Sequence, residues 1–231
     1  MGLFLSGVQK RISKADIFTE NVAKQEELGI RAFDQYGNGY KYVQFIAAAT
    51  RGQVAISDHN DEDTLASSTD LLKVTQVATW TVNEYAGYNL YINDGTGEGQ
   101  LRRIKSNTAT VLTLEEALTT ALSVADSDAD VFSENHVILA PVTALVNTVV
   151  GIAVMTQTIA YYGWIQTSGV AEVLMGEASV AGGYVTPGDD TAGSAKNAGA
   201  GETIDDVTLI GYSMSANTAA DKGCPIMLMG F

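Results

Sequence analysis

Asp126, Asp128 and Asp130 stand at alternate positions and are the acidic residues of this chain best spaced for chemistry. They match the first three ligand positions of an EF-hand loop, in which carboxylates wrap a calcium ion. That loop needs glycine next and glutamate at its twelfth position, and here those places hold Val131 and Val137, so the EF-hand reading fails. A looser cation site on these carboxylates, or on Asp58, Asp61 and Asp63, competes with the plainer reading of solvated acidic turns.

Gly95, Gly97 and Gly99 have the composition of a phosphate cradle, but such a loop needs a helix behind it whose N-terminus faces the anion. Residues 100–105 (QLRRIK) alternate like a strand, so the glycines read as a hairpin turn. The two histidines, His59 and His136, are too few for a histidine-rich metal site. A Ser-His-Asp system needs its serine on a strained turn. The nearest candidate, Ser213 in Gly211-Tyr212-Ser213-Met214-Ser215, lacks the second glycine of that elbow. Arg102, Arg103 and Lys105 form the only basic cluster beyond residue 51, and pairing with nearby carboxylates is its expected use. Acids are abundant, yet nothing singles out two of them for glycoside hydrolysis. No catalytic, cofactor-binding or metal-ligating residue is assigned, no cofactor is expected, and the chain does not read as an enzyme.

The elements around these residues are strands. Thr, Val, Ile, Tyr and Gly are plentiful and helix-period segments scarce, which favours an all-β fold of β-sandwich or β-barrel modules with a short N-terminal arm or helix. Residues 3–28 carry apolar positions near helical spacing, mixed with charge, and are expected to form that arm. Residues 30–46 alternate on both sides of Asp34-Gln35-Tyr36-Gly37-Asn38-Gly39 and predict a β-hairpin. Residues 57–70 (SDHNDEDTLASSTD) read as an exposed loop, followed by strands over 71–82, 87–92, 100–105 and 110–114. Further strands are expected over 136–139, 149–154, 207–213 and 225–231, with 186–202 (TPGDDTAGSAKNAGAGE) as a surface excursion. Ile159 to Met175 carries Tyr161, Tyr162 and Trp164, and its Thr167-Ser168-Gly169 break predicts a central hairpin. The expected organisation is an arm over 1–28, available to bind a neighbour, a first β-rich module over 29–134, and a second over 135–231 with a glycine-rich surface loop at 182–206.

Charge is unevenly placed. Residues 1–51 hold seven basic side chains (Lys10, Arg11, Lys14, Lys24, Arg31, Lys41, Arg51) against five acidic ones, a balance of +2, so with a net charge of −14 for the chain the remainder carries −16. An acidic body of this kind repels nucleic acid and anionic membranes, and neither is an expected partner. The single cysteine, Cys224, excludes an internal disulfide framework. No apolar run reaches the roughly 18–20 residues that span a bilayer. The opening MGLFLSGVQKR lacks a charged stretch before its apolar run and reads as an apolar arm rather than a secretion signal. Met1-Gly2 with Ser6 fits the permissive N-myristoylation pattern, which has meaning only in a eukaryotic host.

Several phrases resemble the head decoration, or cement, proteins of tailed bacteriophages and related virion proteins. They are Leu28-Gly29-Ile30-Arg31 with Asp34 to Val43, Tyr85-Ala86-Gly87 with Asn93 to Ile104, Asn107-Thr108-Ala109 with Leu112-Thr113-Leu114, and Tyr162-Gly163-Trp164-Ile165-Gln166 leading to Gly169. The likeness covers most of residues 28–231 and none of 1–27. It implies a β-rich structural protein made in the host cytoplasm and seated on the outer surface of the capsid. Its partners would be the phage major capsid protein and further copies of itself, as a homotrimer. A phage tail, fibre or adhesin module that binds a host surface is the alternative, with 186–202 as the expected contact loop.

Overall fold

Buried and exposed side chains alternate through strands such as residues 89–94, 101–107 and 222–228, the period-2 signature of half-buried strands, while residues 39–45 and 149–153 are buried almost throughout. The computed structural model describes residues 10–62, 70–75, 80–142, 148–198 and 208–231. The elements are β1 (Lys10–Arg11), α1 (Lys14–Ile17), β2 (Arg31–Phe33), β3 (Gly39–Phe45), β4 (Val54–Glu62) and β5 (Lys73–Thr75). Then come β6 (Asn89–Asp94), β7 (Leu101–Asn107), β8 (Val111–Leu114), β9 (Asp128–Leu139) and β10 (Val149–Ala153). The last are β11 (Tyr162–Met175), β12 (Tyr184–Pro187), β13 (Ala195–Asn197), β14 (Gly211–Ser213) and β15 (Lys222–Leu228). The fold is all-β. Helix among the described residues is limited to the four residues of α1, where Ser13 Oγ accepts the Asp16 N–H at 3.2 Å.

The chain divides into two compact units, Met1–Ser57 with Glu134–Phe231, and Asp58–Ser133. One junction lies between Ser133 and Glu134, and the hairpin of residues 31–45 belongs with the C-terminal half. The pairing explains it. β3 runs antiparallel to β11 with Trp164 opposite Tyr42, and parallel to the end of β9 with Gln44 opposite His136. These long-range ladders bind residues 31–45 to 136–168 more tightly than sequence proximity binds them to residue 58.

In the larger unit β3 is covered on both faces. Tyr40 and Tyr42 pack with Ile12, Ile17, Ala32 and Trp164, while Val43 and Phe45 pack with Ala55, Val137 and Ile165. Residues 10–28 are therefore built into this unit: Ile12 and Ile17 are core, and Asn21 bridges to Tyr162. Residues 1–9, the most apolar part of the expected arm, lie outside the described residues.

The expected hairpin over 159–175 is instead one fourteen-residue strand, β11. Its first half pairs with β3 and β10, and its second half, from Gly169, pairs with β15. The Thr167-Ser168-Gly169 break is the point of exchange. The register against β3 shifts between Gln166 and Ser168, and Gly169 adopts φ +85°. A Cβ there would fall on the side chain of Asn38, so the residue must be glycine for space as well as backbone conformation. A glycine bulge and a hairpin turn draw on the same residue types, which is why the sequence reads either way.

Other expectations shift for similar reasons. Of the loop expected over 57–70, the part through Glu62 is strand, because β4 spans Val54–Glu62. Among the described residues of the strand expected over 71–82, Lys73–Thr75 is ladder, and the chain turns after Trp80. The excursion over 186–202 contains β13, whose Ala195 is fully buried opposite Pro187. Residues 63–69, 76–79, 143–147 and 199–207, on which parts of these expectations fall, lie outside the described residues.

In the smaller unit β6, β7 and β8 form a meander flanked by β9 and β5. β9 pairs with β6, β6 with β7, β7 with β8, and β8 with β5, all antiparallel. Its core gathers Val74, Leu90, Ile92, Ile104, Leu112 and Val131 around Trp80, Tyr85 and Tyr88. Those three rings meet edge to face at 5.7 and 5.3 Å.

Candidate functional site

The residues marked out by chemistry in the sequence are dispersed. Asp126 sits in a turn and accepts from Thr96 Oγ1 at 3.0 Å, Asp128 faces Asp94 across the β6–β9 ladder, and Asp130 lies 3.7 Å from His59 Nε2. Asp58 accepts the Tyr88 hydroxyl at 2.7 Å, and burial together with that carboxylate pushes the phenol well above its ordinary range. No group of three potential metal ligands forms among the described residues, and Asp63 lies outside them. The glycines at 95, 97 and 99 all adopt positive φ in the turn between β6 and β7, with a strand and no helix behind them. They form a hairpin turn, as expected.

Arg103 pairs with Glu115 at 3.5 Å, as expected of that cluster, whereas Arg102 donates to the carbonyls of Ala117 and Leu101 at 2.8 Å. His136 is buried opposite Gln44. Ser213 is buried too, its Oγ 2.8 Å from the Ser215 carbonyl and 2.9 Å from that of Val180, so its proton is engaged by backbone. No helix among the described residues is long and apolar enough to cross a membrane.

The feature that does assemble is on the outward side of β12, β14, β15 and β11. Inward, Val185, Ile226, Leu228, Ala171 and Val173 form one apolar cluster. Alternation then obliges the residues between them to face outward. Beside Glu172, which pairs with Arg51, the outward residues form an apolar row. Tyr184 is opposite Tyr212, Tyr212 opposite Met227, and Met227 opposite Val170, one unbroken row across four strands. Their exposures are 38%, 39%, 42% and 42% in that order. The two tyrosine rings lie 5.0 Å apart at 44°. Met214 and Met229, each more than half exposed, belong to the same strands or their continuations.

An apolar row of this kind costs solubility unless something covers it. Rings and thioethers offer contact area at low conformational cost and adapt to a partner's shape. The sequence reading missed the row. Residues 224–231 (CPIMLMGF) are apolar throughout, which reads as a strand buried on both faces, and only the packing shows that Met227 faces out.

Four of the seven basic side chains of residues 1–51 find carboxylates within the larger unit. Lys10 pairs with Glu26 and lies 5.8 Å from the centre of the Trp164 ring, and Lys24 pairs with Glu27 at 3.2 Å. Arg51 pairs with Glu172, and Lys41 donates to the Glu134 carbonyl at 3.0 Å. Burial holds the Lys41 ammonium below its ordinary range, and Arg31 opposite adds repulsion.

No protein-family model matches this chain, and neither the curated proteins nor the solved structures contain a match.

Proposed function

We propose that this chain is a non-enzymatic structural protein of a tailed-phage particle that sits on the outer capsid surface and braces the major capsid protein. The observation that carries the reading is the row Tyr184–Tyr212–Met227–Val170, an exposed apolar face on a chain of net charge −14. The all-β fold and the phrases that resemble those of head decoration proteins support it. Burial of such a row stabilises a contact by roughly 25 cal/mol per Å² before association costs. Many weak copies on a symmetric shell then add through multivalency.

The test is attachment of the purified protein to expanded heads that lack it. Wild-type protein is expected to bind as a trimer and to raise the temperature at which heads release DNA. Met227→Asp is expected to remain folded and lose attachment. Absence of the protein from purified particles overturns the reading. Labelling confined to the tail assigns the chain instead to a fibre or adhesin module, for which the exposed Tyr184–Tyr212 pair would serve as a contact platform.

A further inference from the structure

The apolar row leads to a cationic end. Met229, two residues beyond Met227, lines a cleft of about 350 Å³ together with Phe33, Thr167, Ser168, Phe231 and Arg31. Arg31 is exposed and has no carboxylate partner among the described residues. Arg11, also exposed and likewise without a carboxylate partner among the described residues, stands opposite Phe33 across the β1–β2 ladder. The contrast with Lys10, Lys24, Lys41 and Arg51 matters, because each of those has its carboxylate within the larger unit. On an acidic chain, two uncommitted guanidinium groups beside an apolar cleft are the groups that a partner's carboxylates would meet.

We propose that this surface receives an extended apolar segment of a partner protein that is followed by acidic side chains. The apolar side chains would lie on Val170, Met227 and Met229, and the carboxylates would reach Arg31 and Arg11. This rests on the row being a docking face and adds the chemistry of what docks there. Charge complementarity sets the polarity of the segment: its acidic end faces the cleft, and a basic segment is repelled by Arg31 and Arg11.

The test uses the full chain and two labelled peptides, each of alternating valine and leucine, one ending in three glutamates and the other in three lysines. Fluorescence anisotropy is expected to show the acidic peptide binding about tenfold tighter at low salt, with the difference shrinking as salt rises. Arg31→Glu is expected to reverse the preference, and Met227→Ser to weaken both peptides, with thermal melts showing both variants folded. Equal binding of the two peptides, no binding of either, or an Arg31→Glu variant that behaves as wild type overturns the proposal. So does sedimentation showing that Met227→Ser dissolves a self-assembly that peptides do not compete for, since a second copy then covers the row. Head attachment measured in parallel separates the two readings. Attachment lost in Met227→Ser without any acidic preference removes the partner chemistry and leaves the docking face in place.

Discussion

In the smaller unit Tyr91 is flanked by Asp130 on one side and Leu101 on the other, and the next outward pair sets Asn89 against Arg103. In the larger unit Tyr212 is flanked by Tyr184 and Met227, with Val170 beyond. Both obey the same alternation, and both bury a full inner face. They differ in what the outer positions hold. Between Asp58 and Ser133 the outer face is interrupted by charge, as on a sheet that meets water. Across β12, β14, β15 and β11 one whole cross-strand row is apolar, and the charge of Glu172 next to it on β11 is paired with Arg51. Alternation places a sheet in a protein, and the outward half of the alternation shows whether the sheet meets water or a partner.

That contrast can be broken in several ways. The largest effect is expected at the inner face. Trp164 is nearly buried with its ring 5.2 Å from that of Tyr42, so Trp164→Ala should cost about 3–5 kcal/mol in denaturant unfolding of the larger unit. A cost near zero would mean that this cluster does not hold the unit together.

The smaller unit is sharpened by its turn. A Cβ at Gly95 would fall on the Asp126 carbonyl, whereas one at Gly99 meets nothing within 4 Å, and both residues have positive φ. Gly99→Ala should therefore cost about 1 kcal/mol from conformation alone. Gly95→Ala should cost clearly more, because backbone must move. Equal losses in thermal melts would show that the approach at Gly95 is not tight.

Tyr88→Phe removes the one hydroxyl seen donating to Asp58 and should cost about 1–3 kcal/mol. Stability unchanged by that substitution would show the carboxylate to be solvated.

Asp34 gives a smaller and pH-dependent effect. Burial pulls its carboxyl upward, but hydrogen bonds from the Asn38 side chain and the Asn38 and Tyr36 backbone outweigh it and hold the group below 3.8. A carboxylate with a depressed folded pKa stabilises above its unfolded value, and the contribution fades as pH falls through the folded one. Asp34→Ala should cost about 1 kcal/mol at neutral pH, and the gap from wild type should close in acid below that range. A gap that persists at the lowest pH would assign the effect to packing.

The smallest stability effect is expected on the outer row, where Met227→Ser should shift unfolding by no more than about 0.5 kcal/mol while weakening attachment. A core-sized loss there would make the row part of the fold and end the comparison.

The sequence by itself determined the class and the local turns. The residue types and their period required strands, Asp34 to Gly39 required a hairpin, and the glycines at 95, 97 and 99 required a turn rather than a phosphate loop. These are local outcomes, settled by a few consecutive residues and the backbone conformations they allow. Partner choice was left to tertiary structure. Whether Gly169 turns the chain or lets one strand change neighbours depends on Asn38, which is distant in sequence and close in space. Whether Tyr212 and Met227 are core or surface depends on which side of four assembled strands is already filled by Val185, Ile226 and Leu228. The candidate site was illegible for that reason. It is made of residues with no reactive group, and it exists only once their neighbours have been buried.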